Sequence, residues 1–288
     1  MEGNLAPFAH SYGGAQQIDV SNPAAPVLVG GLGFGDVGGR CDAVVAHGGF
    51  AWMVTDTSGL LVIDAAVAGS PTVVGHYQTK GYSGSVAAVA GLAFVGAAPA
   101  ALRILDVTVP STPIEISSLP AADYPQDVVI AGWNAFVPVL SSGLEIFDLS
   151  VPTAPVHVVT FETPGEARGV AVVGNTAYIA DGGSGLMLVD VCCPPTPTEL
   201  GSVDTPGSAY AVAVDGDYAY VADYEDGMRV IDVSVPSVPV EVAFVALPGQ
   251  AQDVELVDDV ALIAAGSDGV RAIDISVPTA PVEVGFFN

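Results

Sequence analysis

Lysine is almost missing from this chain: Lys80 is the only one, and six Lys plus Arg stand against 32 Asp plus Glu, for a net charge of -26. A field of that sign repels phosphate backbones and anionic headgroups, which argues against nucleic acid or a membrane surface as partner. Cysteine is scarce too. Cys41, Cys192 and Cys193 are too few and too unevenly placed for a disulfide framework. No apolar run approaches the roughly 20 residues that span a bilayer, although the mean hydropathy is +0.55. Direct membrane insertion is therefore not expected. The opening Met1-Glu2-Gly3-Asn4 carries neither a basic segment nor an apolar one, so it does not read as a secretion signal. Charged residues make up only 13% and apolar residues 51% of the 288, which excludes a disordered chain and leaves ample material for a core.

A repeated phrase supplies the organisation. LVIDAAVAGSP, RILDVTVPSTP, EIFDLSVPTAP, MLVDVCCPPTP, RVIDVSVPSVP and RAIDISVPTAP follow an initial QQIDVSNPAAP, giving seven copies anchored at Asp19, Asp64, Asp106, Asp148, Asp190, Asp232 and Asp274. The first spacing is 45 residues and the next five are 42 each, a regularity that defines one repeating unit. Within one unit, residues 210–247 divide into YAVAVDG, DYAYVAD, GMRVIDVS and VEVAFVAL, four short stretches rich in Val, Ala, Tyr and Ile and bounded by Gly, Asp or Pro. With 34 Gly and 22 Pro, no stretch is free to run the length of an ordinary helix.

Four strands per unit of about forty residues is the signature of a propeller blade. The expected fold is all-β, a seven-bladed β-propeller of four-stranded antiparallel blades, occupying residues 1–288 as a single domain. The first unit begins where its innermost strand should end, so that blade is expected to lack the strand, for a total of 27 strands. GLLVID, GLMLVD and GMRVID followed by VSxPxxP resemble the LVIVD repeat of bacterial and archaeal surface and secreted proteins, and YAYVAD followed by RVID resembles YVTN-type propellers. The resemblance implies a secreted or cell-surface location. It brings no catalytic residues with it.

Each anchoring Asp closes the third strand and is followed, in most copies, by Ser or Thr and then Pro, the setting of an Asx turn. Seven copies of one carboxylate point to turn caps, since a catalytic acid is needed once. Function is sought where the repeats diverge. Asp42, Ser85, Gln126, Arg168, Tyr210 and Gln252 align at the start of the innermost strand, at the mouth of the expected channel, either as solvated lining or as a small-molecule or glycan pocket. The loops ADGGSG, ADYEDG and AGSDG add acidic turn residues. Among them Asp223, Glu225 and Asp226 are the best candidates for calcium, the only cofactor considered, against the plainer reading of a solvated surface.

Signals of catalysis are weak. His10, His47, His76 and His157 occupy unrelated repeat positions, and neither a zinc site nor a triad can be assembled from them. Residues 33–38, GFGDVG, match G-x-G-x-x-G, but in a long interblade loop expected to lead into a strand, so no phosphate cradle is expected. Asp42, Asp127, Arg168 and Asp253 are the only residues on which a hydrolase or lyase could be built. The adjacent Cys192 and Cys193 allow a strained disulfide, reactive thiols or simple turn residues. The expectation is a non-enzymatic extracellular interaction or structural module, binding a protein or glycan through its acidic face and channel mouth. The rival expectation is the subunit of an extracellular homopolymer or filament joined to copies of itself through the incomplete blade or the propeller faces.

Overall fold

The computed structural model describes residues 5–10, 14–22, 25–67, 69–79 and 81–287, with side chains from Gly14 onward. Pro23, Lys80 and the side chain of His10 lie outside the described residues.

The sixth repeat shows how the phrase becomes structure. Ala211–Asp215, Tyr218–Ala222, Met228–Asp232 and Val240–Val245 form one antiparallel sheet in sequence order, joined by short turns. The second and third strands read as almost continuous apolar runs because both their faces are covered. Ala219, Tyr220, Val221, Ala222, Met228, Val230 and Ile231 are all buried, whereas no residue of the fourth strand is buried. The same four-stranded order recurs across residues 41–77, 83–120, 129–161, 169–203 and 253–287. These are the blades that the repeat predicts.

The first sheet holds three strands, Leu5–His10, Gly14–Asp19 and Val27–Leu32, which brings the strands among the described residues to 27. Leu5–His10 lies beside Cys41–His47 just as Phe50–Thr55 lies beside Ser83–Val89, so it holds the second place in its blade. Among the described residues no strand takes the first place.

The chain falls into two compact units, one made of Met1–Asn22, Pro26–Val137 and Phe147–His157, the other of Pro23–Ala25, Pro138–Ile146 and Val158–Asn288. In the first, Trp52, Val54 and Leu60 pack on Val86, Val95 and Leu105 of the next sheet. In the second, Tyr220, Met228 and Val230 pack on Val254, Ile263 and Ile273. Each core thus lies between one sheet and its neighbour, which is why no repeat could bury its apolar faces alone.

Residues 33–38 depart from the sequence expectation. They do not form an irregular loop leading directly into a strand: Phe34–Val37 makes one turn of helix before the strand Cys41–His47. Its local bonding and packing explain the turn. Asp36 accepts the Gly33 N-H at 2.9 Å, Gly38 closes the turn at φ 69°, and Val37 is buried in the core with Ala15, Cys41 and Met53. One turn of helix does not make a phosphate site.

All seven anchoring aspartates accept the backbone N-H two residues on. The distances are 2.8 Å for Asp19, 3.0 Å for Asp64, 2.9 Å for Asp106, 2.8 Å for Asp148, 2.9 Å for Asp190, 2.9 Å for Asp232 and 2.9 Å for Asp274. At Asp232 the Ser234 hydroxyl donates as well, at 2.6 Å, and that bond followed by the backbone one holds the carboxyl below its ordinary value of 3.8. A carboxylate with a depressed folded value stabilises the fold above the ordinary value and loses that contribution as pH falls through the folded one. Asp232→Asn is therefore expected to lower the melting temperature at neutral pH, and the gap from wild type should close as pH is taken below 3.8. Melting curves from neutral to strongly acid pH check this. A gap independent of pH would show that charge has no part in the turn.

Candidate functional site

Two clusters gather where innermost strands begin, one in each compact unit. In the second unit, Arg168 and Tyr210 enter their strands by donating backbone N-H bonds to Ala180 and Ala222, at 2.9 and 2.8 Å. The Arg168 guanidinium lies over the Tyr210 ring, 4.4 Å from its centre, and pairs with Glu166 at 2.6 Å. Tyr210 stacks in turn on Tyr224, with centres 4.5 Å apart and planes 12° from parallel. The result is a three-layer ladder of guanidinium, ring and ring, all three residues half-buried.

Tyr224 reaches that position through an unusual backbone. Its φ is 49°, a left-handed conformation that costs a bulky residue about 1 kcal/mol. The equivalent residues are Leu140, Gly182 and Gly266, with φ 48°, 56° and 57°. Three of the four also bridge to the following strand entry, Leu140 with Ala167, Gly182 with Ala209 and Tyr224 with Ala251. Two repeats meet the requirement with glycine. The sixth carries a tyrosine there and gains a stacked ring.

In the first unit, Arg40 pairs with Asp42 at 2.8 Å and donates to the Tyr82 hydroxyl at 3.0 Å, while the Tyr82 and Tyr124 rings lie 5.2 Å apart. Burial, opposed by Arg40, raises the Asp42 carboxyl above its ordinary value, and burial together with Asp42 pushes Tyr82 up to about 12. Asp42 Oδ2 and Arg40 Nε are buried with no hydrogen-bond partner among the described residues. Such atoms are exceptions in folded proteins and mark a place for a water or a ligand polar group.

The six aligned residues are not equivalent in the structure. The registers skip Asp42 and Gly84 as bulges, so Gly84 rather than Ser85 matches Asp42. Ser85 is 2% exposed and its hydroxyl sits against Gly96, leaving it in the packing instead of at a surface. Gln126 donates back to the Tyr124 carbonyl at 3.3 Å, and Gln252 is exposed at its strand entry. Asp127 and Asp253 accept the N-H of the next residue, at 2.7 and 2.8 Å, as caps.

The acidic loop of the sixth repeat is tied to protein partners. Asp223 is fully buried and accepts from the Thr205 hydroxyl at 2.6 Å, the Gly207 N-H at 2.9 Å and Arg229 Nε at 3.3 Å. Asp226 pairs with the same guanidinium at 3.2 Å, and Glu225 is exposed. Asp181 repeats the arrangement with Thr163 at 2.6 Å and the Gly165 N-H at 2.8 Å. Among the described residues no three acidic, His or Cys side chains are grouped as cation ligands, so Asp223, Glu225 and Asp226 are not brought together as one. Nor do the histidines gather. His47 is exposed, His76 meets the Ser58 carbonyl at 2.6 Å, and His157 packs edge-on against Phe147.

Several of these residues escaped the alignment of the repeats. Arg40 and Tyr124 stand two positions before the aligned column and Tyr82 three, and Tyr224 stands where two sister repeats have glycine. That contrast between ADYEDG and ADGGSG was the available signal for Tyr224. The Thr-Pro-Gly triplets at 163–165 and 205–207, 42 residues apart, similarly announce the partners of Asp181 and Asp223.

Comparison with known proteins agrees with this architecture. The model of the LVIVD repeat matches residues 15–32, 38–79, 80–120, 123–163, 164–205, 206–246 and 248–288. Among solved structures, a candidate 6-phosphogluconolactonase from Bacteroides uniformis superposes with a TM-score of 0.84 at 12% identity, covering 97% of this chain and 94% of that one. A functionally unknown protein from Desulfotomaculum acetoxidans gives 0.75 at 14% identity, with 98% and 95% covered. The WD40 beta propeller domain of Doa1 gives 0.74 at 11%, with 96% and 91% covered. At these identities the likeness establishes the fold, an all-β propeller of four-stranded antiparallel blades, and nothing about activity. A search of curated proteins finds no match.

Proposed function

The chain belongs to the LVIVD repeat family, and from that footing we propose that it is a secreted or cell-surface propeller of seven blades, acting without catalysis as an interaction module. Its partner is a protein or a glycan, held at the entries of the innermost strands. The ladder Arg168–Tyr210–Tyr224 carries the reading. Stacked rings offer apolar faces edged by hydroxyls, a surface suited to sugar rings or to the aromatic and cationic side chains of a protein.

The test is a glycan array and a surface-display partner screen, run with wild type and with Tyr210→Ala. A central tyrosine removed from a binding patch costs about 2 kcal/mol, roughly 30-fold in affinity. Binding to one class of ligand that falls by that factor supports the reading. Binding unchanged in the variant would remove the ladder from the contact, and turnover of a lactone or glycoside would replace the module with an enzyme.

The filament reading draws on the first sheet, where, among the described residues, no strand pairs with the other edge of Leu5–His10. An open edge is a template for strand addition. Light scattering after size exclusion decides it: a mass at the chain's 28.9 kDa ends this reading, and growing assemblies support it.

A further inference from the structure

Away from the ladder, the turn after Leu186–Asp190 breaks the pattern of its sisters. Where other repeats read Thr108-Val109, Ser150-Val151, Ser234-Val235 and Ser276-Val277, this one reads Cys192-Cys193. The sister valines face solvent, at 55%, 53%, 56% and 55% exposed, and Cys192 and Cys193 are exposed free thiols. Their sulfurs stand 3.2 Å apart. The backbone beneath them is fixed: Cys192 donates its N-H to Asp190 at 2.9 Å, Thr196 donates to the Cys193 carbonyl at 2.9 Å, and Pro194 and Pro195 follow. Two thiols on a pinned turn form a pre-organised chelate.

Geometry narrows what that chelate accepts. Zinc takes four ligands, and two sulfurs at about 2.3 Å from a tetrahedral ion stand about 3.8 Å apart. Among the described residues no third His, Cys, Asp or Glu joins the pair. A closer separation and only two protein donors fit a three-coordinate centre with a nearly right-angled bite, completed by one outside substituent. We propose that Cys192 and Cys193 form a bidentate thiol site for a thiophilic trivalent metalloid of the arsenic(III) or antimony(III) class. With an organoarsenic oxide, two As–S bonds form, the As–O bonds break, and the oxygen leaves as water carrying both thiol protons. No electron is transferred.

The experiment uses the full reduced chain and phenylarsine oxide. One adduct is expected by intact mass, with loss of two titratable thiols, removed by a small dithiol and resistant to excess monothiol. Cys192→Ser and Cys193→Val each restore the residue of sister repeats, so folding should be retained, and circular dichroism verifies it. Each should weaken retention about 100-fold, the usual scale of a lost second attachment. The double variant, which keeps the buried Cys41, should form no adduct. Failure of the wild type to form an adduct, equal retention in either single variant, or an adduct on the double variant overturns the proposal.

Discussion

Arg229→Ala is expected to destabilise the protein by about 3–5 kcal/mol, the range found when one partner of a buried ion pair is removed, and to lower the melting temperature by roughly 10 °C. The guanidinium is buried and holds three carboxylates at once, Asp223 at 3.3 Å, Asp226 at 3.2 Å and Glu241 at 3.4 Å, with Phe244 stacked 5.0 Å away. Removing it strands Asp223, whose side chain has no exposure to water. Burial already raises the Asp223 carboxyl, and the bonds from Thr205 and Gly207 and the charge of Arg229 work against that rise. Without the arginine the carboxylate must either stay charged in an apolar setting or take up a proton. Glu241→Ala removes a partner that water can replace, and should cost about 1 kcal/mol or less. Lysine should rescue Arg229 poorly, because a point charge cannot meet three carboxylates and a ring together. Chemical denaturation of the three variants measures the differences, and similar costs for Arg229→Ala and Glu241→Ala would show that the burial of Asp223 is of no consequence.

Gly201→Val is the second large effect expected, about 3 kcal/mol or more, because the added carbon has nowhere to go. A Cβ on Gly201 would stand 2.6 Å from the Pro236 carbonyl oxygen, 3.0 Å from the Ser237 carbonyl carbon and 3.1 Å from Pro239 Cδ. Those atoms belong to the proline-stiffened turn of the next blade and cannot swing aside as a flexible side chain would. Gly75 meets the Pro110 carbonyl in the same way, and Ser117 at the matching position donates to the Pro152 carbonyl at 2.6 Å. The matching positions Gly75, Ser117, Gly201, Ala243 and Gly285 are small, and the fourth repeat alone has a larger residue there, Val159, so the cost at Gly201 rests on its own contacts with the Pro236–Pro239 turn. Gly183→Ala is the control: its Cβ meets nothing within 4 Å and its φ is ordinary, so stability should stay within about 0.5 kcal/mol of wild type. Thermal melts of the pair decide the point, and equal losses would place the effect in chain entropy rather than in contact between blades.

Sequence alone determined the blade. The Asp spacing defined the repeat, short stretches rich in Val, Ala, Tyr and Ile bounded by Gly, Asp or Pro defined the strands, and the anchoring Asp defined the turn. All of these are local, written within a few residues of one another, so they survive translation into structure. Tertiary structure decided what depends on neighbours. Bulges between the third and fourth strands, as between Val230 and Ile231 or Leu188 and Val189, are seen only in the paired register. The bulges at Asp42 and Gly84 shift the start of the innermost strand and move Ser85 into the packing. The turn of helix at Phe34–Val37 forms because Val37 finds a core contributed by two other sheets. Tyr210 and Tyr224 lie 14 positions apart in the chain and stack where Tyr224, left-handed and bridged to Ala251 of the following blade, meets the strand entry at Tyr210. An alignment of repeats compares each residue with its counterparts, whereas the ladder is built between residues at different repeat positions, and only packing brings those together.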